Sequence, residues 1–368
     1  MKNKELIQKI GTPIYVYEKN KIIDNCNRLK NSIDYENKEV HYAVMCNNNK
    51  EILKLIKDLG LSVQINSLYE LELVKKLEFD KNKISFTSIG LDNKLLKKLI
   101  SKDIQINLDS LEEVEKYCKL NPGGNFGIRV KMKENIKLPE RHTNSPRNSD
   151  VGIERKYFKN VKEMATKNCC KIIGIHGYLA SNIMDEKPFF RAASYLKRCA
   201  KEFPDLEYLN FGSGYGVAND KKFKFNVIGN YYSKIMEELK EYFGRTIKLK
   251  IEPGRIIVAT AGKLYASVTN IKNVKDKKQI SVDAGFGEFV RPKLYNDYHE
   301  IEVLNNESEK EIYDIRGNTV LQDDFLARNV ELRKLNENDI IAIKNSGAYG
   351  RVMASGFPGK RLPKEILI

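Results

Sequence analysis

The chain has 368 residues, 41% of them hydrophobic, enough to bury a full core in one large domain or two modest ones. No apolar run reaches the roughly 18 residues a membrane-spanning helix needs, and residues 1–5 lack the apolar centre of a signal peptide, so the expectation is a soluble, cytoplasmic protein. The formal charge is +15, but the lysines are spread among Glu, Asp and Asn, with no helix-turn-helix, zinc-ligand or aromatic-basic pattern, so the charge reads as a solvated surface and not as a nucleic-acid footprint. The six cysteines (26, 46, 118, 169, 170 and 199) form no CxxC pair and read as reduced structural thiols.

In chain order, Thr12–Tyr17 is a short β-branched and aromatic strand carrying Pro13. The chain then alternates. Apolar spacing of three and four predicts helices near 21–32, 50–59, 68–77, 93–102, 110–119, 155–167, 187–203 and 229–243. Between them lie short β-rich runs at 39–45, 62–65, 84–87, 104–108, 126–130, 172–176, 206–211 and 247–251. Eight alternating units of this kind predict a parallel (β/α)8 barrel. A doubly wound open sheet would place a glycine-rich fingerprint after the first of these strands, where Asn47-Asn48-Asn49 stands instead. Asn121–Gly124 is a turn, and Lys137–Asp150 is expected to be a mobile loop at the barrel mouth. After Gly262 helical periodicity gives way to strands at 264–270, 279–283, 300–303, 311–315, 339–343 and 365–368. The expected organisation is a barrel over 21–262 and a β-rich domain over 263–368 that closes with residues 1–20.

The notable motifs fall where a barrel puts its chemistry, on the loops after strands. Asn210-Phe211-Gly212-Ser213-Gly214-Tyr215-Gly216 follows the seventh strand, and small residues there let backbone N–H groups approach an anion. Alone, such a run is more often a plain turn. Glu252-Pro253-Gly254-Arg255 ends the eighth strand, and Gly174–Ser181 ends the sixth. The first strand runs through Val40-His41-Tyr42-Ala43-Val44-Met45-Cys46-Asn47.

"YAVMCN" in that strand resembles the "YAVKAN" or "YAVKCN" of the fold type III pyridoxal-phosphate decarboxylases, which include the diaminopimelate and ornithine decarboxylases. The resemblance runs from Thr12 to Ile368 and implies an alanine racemase-like TIM barrel followed by a C-terminal β-rich domain. It also implies pyridoxal 5'-phosphate as cofactor, no metal, and decarboxylation of an amino acid or amino-acid-derived substrate. The family's Lys binds the cofactor covalently, and Met45 occupies that place.

Carried over residue by residue, Gly212, Ser213 and Gly214 match the phosphate loop, and Glu252, Gly254 and Arg255 match "EPGR". In that motif the Glu keeps the pyridine nitrogen protonated, which makes the ring a better electron sink. Tyr178 stands for the second His of "HxHxGS", which stacks on the ring, and Ser181 is retained for the phosphate. His176 is also consistent with an ordinary interior histidine. Arg129 is retained among the cofactor-binding residues, and Phe357 replaces a Tyr whose hydroxyl reaches the phosphate. Arg291 and Tyr295 match the "RPxLY" that holds the far end of the substrate. In "GPxCESxD" the Cys that helps return a proton becomes Val320 and the substrate-contacting Glu becomes Leu321; the nearby run "DDFLARNVEL" resembles a branch of the family found in specialised biosynthetic clusters, and its Asp324, with Arg328, fits that branch better than the diaminopimelate enzymes, which implies a substrate-binding role for Asp324. Gln64 replaces an Asp near the lysine, and Asp150 replaces the Lys of "SKFG".

Three readings of Met45 stay open: an introduced Lys→Met change in an active decarboxylase, a natural methionine in a catalytically silent binding or regulatory protein, or substitution by another amine such as Lys50. The strand context favours the first, while Val320, Leu321 and Gln64 favour the second, or else an unusual substrate. The reading adopted is a decarboxylase with its lysine replaced, binding the cofactor noncovalently if Met45 is native. The resemblance also implies a homodimer with shared active sites, the partner contributing the segment matching Val320–Asp324. The substrate is expected to be a small amino-acid-like molecule, with an anionic, phosphorylated or nucleotide-linked group allowed by the charge and Arg291.

Overall fold

In the computed structural model the described residues are 2–132, 150–218, 223–274, 277–304 and 309–368. Most of the mobile loop expected over 137–150 therefore lies outside them. The chain opens with α1 (Lys2–Ile10), β1 (Ile14–Tyr17) and α2 (Lys19–Asn31). Eight strand positions then alternate with helices: β2 (Lys38–Ala43), α3 (Lys50–Asp58), β3 (Ser62–Ile65), α4 (Leu68–Lys76), β4 (Ile84–Thr87), α5 (Asn93–Ile100), β5 (Gln105–Leu108) and α6 (Leu111–Leu120). The series continues through β6 (Asn125–Val130), α7 (Phe158–Lys167), β7 (Lys171–Gly177), α8 (Lys187–Ala200), β8 (Tyr208–Asn210), α9 (Phe225–Phe243) and β9 (Lys248–Ile251). Strands β2 to β9 pair in parallel and close into a barrel, β9 returning to β2 with Val40 opposite Ile251.

Local chemistry explains the alternation. The strands are short, buried runs such as Ile84-Ser85-Phe86-Thr87. The helices after β3 and β5 start on capping boxes. Ser67 accepts the N–H of Glu70 and Ser110 that of Glu113, while the two glutamates reach back to the N–H of Asn66 and Asp109. Asn49 caps α3 by accepting from Glu51 and Ile52.

The chain then forms α10 (Arg255–Val258), β10 (Gly262–Val274), β11 (Lys277–Val282), α11 (Arg291–Tyr295), β12 (Ile301–Val303), β13 (Lys310–Arg316), β14 (Phe325–Arg333), β15 (Ile340–Ile343) and β16 (Lys364–Leu367). These strands make a sheet in the order β12-β15-β10-β11-β13-β14, and β1 joins it between β10 and β16. By internal packing the chain divides into two compact units, Cys26–Gly254 and Met1–Asn25 with Arg255–Ile368.

The structure departs from the sequence reading in five places. Strand β2 ends at Ala43, and Val44–Cys46 is a 3-10 turn. The helix α1 is not among the expected elements, nor are the short α10 and α11. Strand β14 was not anticipated either: Asn329 interrupts its alternation with φ +52°, and the β13 pairing shifts register.

Candidate active site

The inward positions of the barrel strands are unusually polar for a fold whose interior is ordinarily filled by branched apolar side chains. Lys248 and Lys250 on β9 alternate in step with Glu252 just beyond it, and on β2 so do Glu39 and His41, which places each set on one face of its strand. Glu252 lies just past β9 and is buried. Its Oε2 accepts from His176 Nε2 at 3.0 Å and its Oε1 accepts from Asn210 Nδ2 at 2.7 Å. Burial pushes the Glu252 carboxyl up, but His176, His41 and Asn210 outweigh it and hold the group below the usual carboxylate range. It is thus a fixed anion.

The glycine turn follows directly from Asn210, whose Oδ1 accepts the N–H of Gly212 at 2.9 Å. Gly212 and Gly214 have φ of +61° and +126°, and a Cβ on either would run into the carbonyl oxygen of Gly177 or Ala180. This turn and the loop after β7 are stitched together by Ile183 N–H to Gly214 O and Gly216 N–H to Ile183 O, both 2.9 Å. The structure therefore brings Gly212, Ser213 and Gly214 beside the loop carrying Tyr178 and Ser181. Arg129 on β6 pairs with Asp109 at 3.6 Å, and its guanidinium lies 5.8 Å from the centre of the Tyr178 ring. Burial raises the Asp109 carboxyl and lowers the Arg129 guanidinium, each opposed by the other's charge.

Met45 sits on the turn after β2, and 46% of its surface is exposed. Ala43 N–H donates to Pro253 O at 3.1 Å, and a Cβ on Gly254 would press on Cys46 and Ala43. The turn bearing Met45 thus abuts the segment just after Glu252. Gln64 is buried and donates to Ile65 O at 3.0 Å. Among the described residues, Lys50 begins α3 on the surface, and Lys250 is held by Glu39 and Gln105.

In the other unit, Arg255 places its guanidinium 5.0 Å from the centre of the Tyr349 ring. Arg291 is only 4% exposed, pairs with Asp297, and lies 5.1 Å from the Tyr295 ring and 5.7 Å from that of Tyr349. Burial, with Arg255 nearby, lowers its affinity for the proton, and its Nε has no hydrogen-bond partner among the described residues. Tyr295, Phe357 and Leu321 are exposed, and Val320 is 91% exposed. Phe357 packs on Phe286 at 5.5 Å. Asp324 is 1% exposed and accepts from Phe286 N–H, Thr319 N–H and Thr319 O–H at 2.8, 3.1 and 2.6 Å. It is the anchor of the loops around Gly285 and Gly317, where any Cβ would strike its carboxylate.

The sequence reading did not single out Asn210, Asp109, His41, Glu39 or Lys250. The period-two spacing of charges on β2 and β9 was the available signal. His176, left open between two roles, is the partner of Glu252.

The barrel arrangement can hold a protonated ring nitrogen at Glu252 and an anionic tail at the glycine turn. Residues 19–259 match the family model described as the pyridoxal binding domain of pyridoxal-dependent decarboxylases. The chain is 30% identical over 372 residues to the diaminopimelate decarboxylase of Campylobacter jejuni, covering 97% of this chain and 90% of that protein. It is 30% identical over 380 residues to the diaminopimelate decarboxylase of Aquifex aeolicus, covering 99% and 88%. Its fold matches the crystal structure of Helicobacter pylori diaminopimelate decarboxylase complexed with L-lysine, with a TM-score of 0.92, 25% identity, and coverage of 100% and 94%.

Proposed function

Because the chain belongs to the pyridoxal-dependent decarboxylase family, we propose that it binds pyridoxal phosphate noncovalently and is built for decarboxylating an amino acid or a close derivative. The observation that carries this reading is the buried anion of Glu252, aligned by His176 and Asn210 beside a glycine turn. Glu252 would hold a proton on the ring nitrogen. Gly212, Ser213, Gly214 and Ser181 would hold the phosphate, with Arg255 next in the chain after Gly254, and Tyr178 would cover a ring face beside Arg129. When bound, the cofactor supplies an electron sink for the carbon that loses carbon dioxide.

The side chains here bind and orient, but two positions cannot move a proton. Met45 has no amine and Val320 no thiol, so neither can return a proton to the product or release it by exchange. That observation favours a second reading, a silent homologue that binds the cofactor without turnover. The two readings separate on one experiment: titrate the chain with pyridoxal phosphate, then assay carbon dioxide release from amino acids before and after Met45→Lys.

Leu321, where the family has a substrate-contacting Glu, argues for a substrate other than diaminopimelate. Arg291 suits an anionic substrate group, provided Asp297 yields its place. The exposure of Val320 and Leu321 supports a homodimer in which a second copy covers them. Among the described residues, no helix is long and apolar enough to cross a membrane.

A further inference from the structure

Beneath Glu252 lies a second charged layer to which no role has been given. Glu39 and Lys250 are register partners on the adjacent strands β2 and β9. Lys250 is 3% exposed. Its Nζ donates to Gln105 Oε1 at 2.6 Å, lies 3.4 Å from Glu39 Oε2, and sits 4.6 Å from the centre of the Tyr208 ring. Glu39 Oε1 also pairs with Lys248 at 2.5 Å, and its Oε2 meets His41 Nε2 at 3.0 Å. His41 is pinned from the other side by Ser85 Oγ, 3.1 Å from Nδ1. Tyr208 fills the barrel centre, where Gly127 and Gly174 leave room for its ring, and its hydroxyl donates to Asn107 Oδ1 at 2.6 Å.

Two residues further along each strand, the same register brings His41 beside Glu252. Lys250 and Glu252 share a face of β9, two residues apart, or about 7 Å along a strand. The charged and titratable groups acting on Glu252 are His176 on β7, His41 on β2, Lys250 on β9, Arg129 on β6 and Tyr208 on β8; Glu39 on β2 and Lys248 on β9 act in turn on Lys250, and Asp109 after β5 interacts with His176. Of these, Lys250 is the buried ammonium, and Glu39, half-buried, is the carboxylate that holds it from the neighbouring strand.

We propose that Lys250 is a positioning residue for Glu252: clasped by Glu39 and Gln105 one layer below, its ammonium balances Glu39 so that Glu252 stays ionised. This rests on the reading of Glu252 as the partner of a cofactor's ring nitrogen, but it concerns the protein's own charges and is measurable without ligand. A merely structural Lys250 would loosen the barrel when removed. A charge-balancing Lys250 gives opposite signs for loss of the cation and loss of the anion.

The test follows the Glu252 side-chain carboxyl by carbon-13 NMR across an acid titration of the ligand-free chain. Lys250→Met should raise its titration midpoint by roughly one pH unit, the scale expected when a unit charge is removed from a neighbouring layer of a protein interior. Glu39→Gln should lower it, Lys250→Arg should leave it near the parent value, and the double variant Lys250→Met/Glu39→Gln should return toward it. If Lys250→Met does not fold, the Glu39→Gln and Lys250→Arg arms still decide the matter. No movement of the midpoint in Glu39→Gln, or a shift of the same sign in Lys250→Met and Glu39→Gln, overturns the inference. A parallel pyridoxal phosphate titration of the parent chain separates the two claims. Failure to bind overturns the functional reading, whereas the NMR signs alone decide the role of Lys250.

Discussion

Replacing Glu252 by Gln is the most informative single change in the barrel, because its cost follows from two neighbours. Asn210 cannot turn its amide around, since its Oδ1 already accepts Gly212 N–H at 2.9 Å. The new carboxamide must therefore offer its oxygen to Asn210 and its NH2 to His176. Glu252, an acceptor only, keeps the proton of His176 on Nε2 at 3.0 Å. The glutamine NH2 would force that proton onto Nδ1, a buried atom with no hydrogen-bond partner among the described residues. A buried, unsatisfied N–H costs about 1–3 kcal/mol, and that is the loss of unfolding free energy expected from urea denaturation at neutral pH. Bound cofactor would lose a charge-assisted bond worth about 1.5–3 kcal/mol, so pyridoxal phosphate should bind roughly 10- to 100-fold more weakly in an absorbance titration. The pH dependence has a definite sign. The carboxyl of Glu252 is depressed in the folded chain, so its contribution is present above the unfolded carboxylate value and is lost as pH falls through the folded one. Glu252→Gln should flatten that acid limb. A variant with parent-like stability and parent-like cofactor affinity would refute the reasoning.

Other positions give independent checks. Asp324→Ala strips the acceptor from Phe286 N–H, Thr319 N–H and Thr319 O–H and should cost about 3 kcal/mol or more by chemical denaturation; a loss under about 1 kcal/mol would favour a substrate-binding over an anchoring role. Gly212→Ala puts a β-carbon at φ +61° against Gly177 O and should destabilise by at least about 1–2 kcal/mol while weakening phosphate-dependent binding, and an unchanged denaturation midpoint would mean the turn is looser than drawn. His299, packed on Phe289 and bonded through Nδ1 to Lys344 O at 2.9 Å, is pushed by burial from 6.5 to about 4. Its contribution is therefore complete above pH 6.5 and lost as pH falls to about 4, up to about 3 kcal/mol. His299→Gln should remove that slope from the stability–pH curve, and an unaltered slope would contradict the assignment.

Much of the architecture is written in the chain's local patterning. Each barrel strand is a short β-rich run between amphipathic helices, and the strong N-caps at Asn49, Ser67 and Ser110 mark helix starts that sequence alone can locate. Strand β14 is hidden because most of it is solvent-facing and Asn329 breaks its two-residue period. Helix α1 carries polar residues and no strong start signal. The site divides in the same way. Glu252 and the Gly212–Gly214 turn are legible as motifs because backbone geometry demands those residue types. Glu39, His41 and Lys250 are not, because a charge at every second residue of a strand ordinarily marks a solvated face, and only closure of the barrel turns that face inward. Asp324 reads as a substrate residue by its place in a motif, and within its own unit it accepts from Phe286 N–H, Thr319 N–H and Thr319 O–H.

The measurement that bears most directly on the central claim is an absorbance titration with pyridoxal phosphate, run on the chain as it stands and on Met45→Lys. The account predicts saturable, borohydride-insensitive binding to the Met45 chain. It predicts a borohydride-fixed cofactor on residue 45 of the Lys variant, seen as a mass increase, together with carbon dioxide release from an amino acid. If neither protein binds the cofactor, the assignment of Glu252 and the glycine turn to a pyridoxal phosphate site is contradicted.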